Sequence, residues 1–81
     1  MQIDEKVLHQ VVDILHAYAP DGLEINTETE LVEDLGLDSL KVMKILENLE
    51  DDFDISIPIN IIPDVRTVED LAMKIQKLSG N

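Results

Sequence analysis

The chain has 81 residues, of which 44% are hydrophobic, with Tyr18 and Phe53 the only aromatics; this suits one domain over residues 1–81 with a single aliphatic core. It has no cysteine, which excludes disulfides, thiolate metal sites and a cysteine nucleophile. With 18 Asp and Glu against 6 Lys and Arg, the formal net charge is −12, which argues against nucleic acid or an anionic membrane as a partner and favours basic patches on other proteins.

The N-terminus, Met1-Gln2-Ile3-Asp4-Glu5, has no basic start and no apolar run, so no secretion signal is expected and the cytoplasm is the expected compartment. No stretch approaches the roughly 20 apolar residues of a membrane span. Over residues 3–18, Ile3, Val7, Leu8, Val11, Val12, Leu15 and Tyr18 recur at helical spacing, which predicts a long amphipathic helix. Pro20-Asp21-Gly22 ends it.

Residues 20–38 read as a long ordered loop, with apolar Leu23, Ile25, Leu31, Val32, Leu35 and Leu37 set among acids. A loop this long in so small a domain is functional or ordered by its own packing. A short helical turn is expected after Thr29, stopped by Gly36. Residues 39–52 predict a second helix, with Asp38 as N-cap and a buried stripe of Leu40, Met43, Leu46 and Leu49 widened by Val42, Ile45 and Phe53. Residues 55–59 alternate like a strand, but Pro58 and Pro63 oppose a long strand or helix; one short helix around Ile59–Ile62 is the most that fits. Residues 67–78 predict a last helix, opened by the capping-box-like Thr67-Val68-Glu69-Asp70 and buried through Val68, Leu71, Ala72, Ile75 and Leu78. Three amphipathic helices and one short segment make a small antiparallel bundle.

His9 and His16 are too far apart for a metal pair on one helix, and Asp51, Asp52 and Asp54 do not match a calcium loop. No metal site and no catalytic residue are expected. Ser39 has no histidine or lysine placed to activate it as a nucleophile.

The informative run is Glu33-Asp34-Leu35-Gly36-Leu37-Asp38-Ser39-Leu40. It sets a serine hydroxyl in the first turn of a helix, where unpaired N–H groups and the positive dipole end tolerate an attached phosphate. Leu35, Leu37 and Leu40 are expected to bury and anchor the turn. A lone serine at a helix start is common and by itself assigns nothing.

With that run, the downstream Leu46–Ile55 segment, Ile57-Pro58 and the closing Thr67-Val68-Glu69-Asp70-Leu71, the sequence resembles the acyl carrier protein family along nearly its whole length. The resemblance implies an all-α, acyl-carrier-like four-helix bundle with three longer helices and one short. It implies a 4'-phosphopantetheine arm, placed on Ser39 by a phosphopantetheinyl transferase from coenzyme A, and cargo held on the arm's thiol as a thioester. Such a carrier is not an enzyme. A monomer is expected, delivering acyl groups to acyl-transferring or condensing enzymes with basic docking patches in fatty-acid, polyketide or modified-lipid synthesis. A peptidyl or aminoacyl carrier would use the same serine. An acidic interaction module with a structural serine is the alternative from another class.

From Asp21 to Asp54 stand 12 acids against only Lys41 and Lys44, a surface suited to basic partners. Glu33, Asp34, Asp38, Leu40, Lys41, Lys44 and Glu47 are the expected partner-recognition residues. Fatty-acid carriers commonly have acids two and five positions after the serine, where Lys41 and Lys44 stand here. They also commonly have an acidic short helix where this chain reads Ile59-Asn60-Ile61-Ile62-Pro63. Both departures point to a specialised pathway. Leu46, Phe53, Ile59, Ile62, Leu71 and Ile75 are expected to line a cleft for the acyl chain.

Overall fold

The computed structural model describes residues 3–79, with the side chains of Ile59 and Ile62 outside the description. Its elements in chain order are α1 (Glu5–Tyr18), α2 (Ser39–Phe53), a 3₁₀ segment (Ile59–Asp64) and α3 (Val68–Leu78). Among the described residues there is no strand, only an isolated antiparallel bridge between Glu30 and Thr67.

Asp4 caps α1, its carboxylate accepting the Lys6 N–H at 2.9 Å, so the helix begins at Glu5 rather than Ile3. Ile3 and Leu8, at the spacing of a hydrophobic staple, are both partly buried against the core. Val7, Val11 and Leu15 face inward at intervals of four. Ala19 is extended because Pro20 disfavours helical angles before it. The Asp4 N–H donates to Gln76 Oε1 at 2.7 Å, which joins the start of α1 to the end of α3.

The inward face of α2 is Val42, Ile45, Leu46 and Leu49. This corrects the expected stripe, because Leu40 is 64% and Met43 39% exposed. A repeat of three drifts around a helix of 3.6 residues per turn, whereas intervals of three, one and three hold one face. Leu40 therefore does not anchor the turn, and Leu35 and Leu37 do so without it, both buried. Asp54 ends α2 in the left-handed conformation, and its N–H donates to Glu50 O.

Beyond α2 the chain is extended, and the alternation over 55–58 lays Ile55 and Ile57 on the core while Ser56 and Pro58 face out. Among the described residues nothing pairs with it as a strand. The short element that follows is 3₁₀ rather than α, with Pro63 inside it; proline supplies no N–H to extend a helical ladder there. α3 opens with the expected capping box, Thr67 and Asp70 each accepting the other's backbone N–H. Val68, Leu71, Ala72 and Ile75 are buried, but Leu78, at the last turn, is exposed and leaves the expected stripe.

The α1–α2 loop is held by the start of α3. Leu31 N–H donates to Arg66 O at 3.0 Å, Val68 N–H to Thr29 O at 2.9 Å and Glu69 N–H to Thr27 O at 3.0 Å. Inside the loop, Thr29 Oγ1 accepts the Asn26 N–H and Asn26 Oδ1 accepts the Glu28 N–H, both at 2.9 Å. These bonds let the loop commit Leu31, Leu35 and Leu37 to the core.

Candidate functional site

Residues 31–35 make the expected helical turn, closed where the Gly36 N–H donates to Val32 O at 3.0 Å. Gly36 has φ +68°, the left-handed angle that ends such turns and that glycine adopts without a Cβ penalty. The chain then extends through Leu37 and Asp38 and enters α2 at Ser39. Asp38 Oδ1 accepts the Lys41 N–H at 2.8 Å, and Asp38 O accepts the Val42 N–H at 2.9 Å. The first turn of α2 is thus fixed from the residue next to Ser39.

Ser39 is exposed, and among the described residues nothing is hydrogen-bonded to its hydroxyl. A phosphodiester fits there. The oxygen is unengaged, it stands at the positive end of a 15-residue helix, and attaching a group to it displaces no packed side chain. Asp38 is occupied by capping, and among the described residues no group of three or more His, Cys, Asp or Glu could hold a metal ion.

The expected partner-recognition residues Glu33, Asp34, Asp38, Leu40, Lys41, Lys44 and Glu47 are all exposed. Asp34 also serves the fold: its Oδ2 accepts the Glu30 N–H at 2.8 Å, which caps the helical turn. Two features escaped the sequence. Val32, counted there among the loop's apolar residues, is 63% exposed, because it lies a third of a turn away from the inward pair Leu31 and Leu35. Glu30 meets Arg66 across the loop–α3 junction, with Oε1 3.2 Å from Nη2.

The charges of α2 run against its dipole. α1 and α3 have acids in the first turn and a basic residue in the last, whereas α2 has neither. Instead Lys41 lies in its first turn, with Lys44 just beyond, and Glu50, Asp51 and Asp52 crowd its end. Each charge placed against the dipole near a helix end costs about 0.3–1 kcal/mol. Neither lysine is ion-paired among the described residues, where Arg66 pairs with Glu30 and His9, when protonated, with Asp13.

Behind α2 lies a cavity of about 10 Å³ lined by Leu15, Leu31, Val42, Ile45, Leu46, Ile61, Val65 and Leu71. Of the expected cleft residues, Leu46 and Leu71 line it. Ile75 is fully buried elsewhere in the core and Phe53 is partly buried at the core's edge. Ile59 and Ile62 belong to the 3₁₀ segment, with side chains outside the description. The cavity has room for about one water, too little for an acyl chain unless core side chains part.

The phosphopantetheine attachment site family matches residues 5–75. The chain is 35% identical to the acyl carrier protein of Campylobacter hominis over 81 residues, covering 100% of this chain and 99% of the relative. It is 34% identical to that of Porphyromonas gingivalis over 76 residues, 94% of each chain. It is 43% identical to a probable acyl carrier protein of Caulobacter vibrioides over 57 residues, 70% of this chain and 66% of the relative. The chain therefore belongs to the phosphopantetheine-attachment family of acyl carrier proteins, non-enzymatic carriers with a covalently attached 4'-phosphopantetheine.

Proposed function

We propose that Ser39 is the attachment point and that the chain delivers acyl groups to enzymes of fatty-acid, polyketide or modified-lipid synthesis. The observation that supports this best is the free, exposed hydroxyl of Ser39 at the capped start of α2. When bound, the group supplies a thiol that holds cargo as a thioester. The protein's own residues do the rest. Ser39 Oγ provides the bridging oxygen to phosphate, and Asp38 keeps the turn beneath it rigid. Glu33, Asp34, Asp38, Leu40, Lys41, Lys44 and Glu47 meet the partner.

In this proposal the 3₁₀ segment Ile59–Asp64 is the short fourth helix of a four-helix carrier bundle. Leu46, Phe53, Ile59, Ile62, Leu71 and Ile75 are the residues that part to shelter an acyl chain. Burying each methylene contributes about 0.8 kcal/mol; Phe53 is the one ring among these residues, and the others make room by shifting aliphatic rotamers. Lys41, Lys44 and the non-acidic run Ile59–Ile62 favour a specialised pathway over bulk fatty-acid synthesis.

The test is modification. Incubation of the protein with coenzyme A and a broad-specificity phosphopantetheinyl transferase is expected to add one arm to the wild type and none to Ser39→Ala, read by intact mass. An arm on the Ser39→Ala protein, or no addition to the wild type with several transferases, overturns the assignment.

A further inference from the structure

Along the outward side of α2, Leu40, Lys44, Glu47 and Asp51 follow at intervals of four, three and four, and all four are exposed. Such intervals hold one helix face. Lys41 and Met43 flank that line, and Val32 stands exposed on the turn just before Ser39. Within α2 this face is therefore apolar and basic in the turns next to Ser39 and acidic one to two turns further on, while the exposed acids Glu33, Asp34 and Asp38 stand on the loop side of Ser39. The fold makes no use of the lysines, which are unpaired among the described residues and oppose the helix dipole.

We propose that this face of α2 docks on a partner enzyme with a matching order of charge: carboxylates beside the entrance to its active site, opposite Lys41 and Lys44, and basic groups further out, opposite Glu47 and Asp51. The apolar contact comes from Leu40, Met43 and Val32, and the charge order sets the direction of docking. Turned end for end, the helix would set its lysines against the partner's basic groups and its acids against carboxylates. Only one orientation brings Ser39 over the entrance. A surface basic throughout, which the net charge of −12 alone would select, repels Lys41 and Lys44 in the turns of α2 next to Ser39. This docking deepens the carrier assignment and rests on Ser39 as the attachment point.

The test uses a carrier-dependent condensing enzyme with a basic docking patch, together with a version in which the two basic residues nearest its entrance are changed to Glu. Binding is measured with protein lacking the arm, so the outcome is separate from whether Ser39 is modified. Wild type is expected to bind the Glu-bearing enzyme on the order of tenfold more tightly than its parent. Lys41→Asp with Lys44→Glu is expected to reverse that preference, and Lys41→Gln with Lys44→Gln to abolish it. All the substituted positions are exposed, and circular dichroism of each variant verifies that the helices are intact. Equal binding of both enzymes by wild type, or preference for the basic parent, overturns the proposal, as does a preference that survives the glutamine changes.

Discussion

Glu30 stands where the loop, the helical turn and α3 meet, and its titration reports on that junction. A side-chain hydrogen bond with Glu33 raises its pKa above the ordinary glutamate value. Burial and the charges of Glu33 and Asp34 push the same way, while the Arg66 guanidinium opposes them. A carboxyl raised in this way binds its proton more readily folded than unfolded. It therefore favours the folded chain fully below the ordinary glutamate pKa, and that contribution is lost as pH rises through the higher folded value. Glu33→Gln removes the carboxylate that competes with Glu30 for charge and leaves an amide able to donate to it. The Glu30 carboxyl, followed by NMR titration, is expected to fall back toward the ordinary value in that variant. A Glu30 titration unaltered by Glu33→Gln would show that another group causes the shift.

At the scale of the element, α2 depends on Asp38 more than α1 or α3 depends on its own cap, because the charges of α2 do nothing to support its ends. Asp38→Ala removes the acceptor of the Lys41 N–H and is expected to cost about 1 kcal/mol. In a domain of this size that lowers Tm by roughly 4–8 °C. An unchanged Tm in thermal unfolding would show that the cap bond contributes nothing. The caps were legible in the sequence because Asp38 and the Thr67-Asp70 pair have short-range signatures, and so were three helices, because periodicity survives without tertiary context. The exposure of Leu40 and Met43 was not, since an apolar residue at a helix start looks the same whether it meets the core or a partner. The bonds joining Thr27, Thr29 and Leu31 to residues 66–69 were not legible either: backbone pairing across that separation leaves no side-chain pattern. The reach of the Ser39 hydroxyl was legible, because its setting follows from the local order of Gly36, Leu37 and Asp38.

For the whole molecule, the acids that suit the surface to partners also strain the isolated fold. A net charge of −12 on 81 residues confined to a radius of gyration of 11.4 Å is compressed when the chain folds, and the repulsion opposes the compact state. The Glu30–Arg66 pair has a largely exposed Arg66, and exposed His9 pairs with Asp13 only when protonated, so solvent screening leaves such pairs little to contribute. Repulsion spread over the surface therefore outweighs the attraction that salt would weaken. Raising ionic strength from about 0.01 M to about 0.15 M shortens the Debye length from roughly 30 Å, longer than the molecule's radius, to roughly 8 Å. Tm is expected to rise over that range, with most of the gain at the low-salt end, where screening first reaches molecular dimensions. A Tm that fell with added salt would mean that specific ion pairs, rather than self-repulsion, dominate the electrostatics of the folded chain.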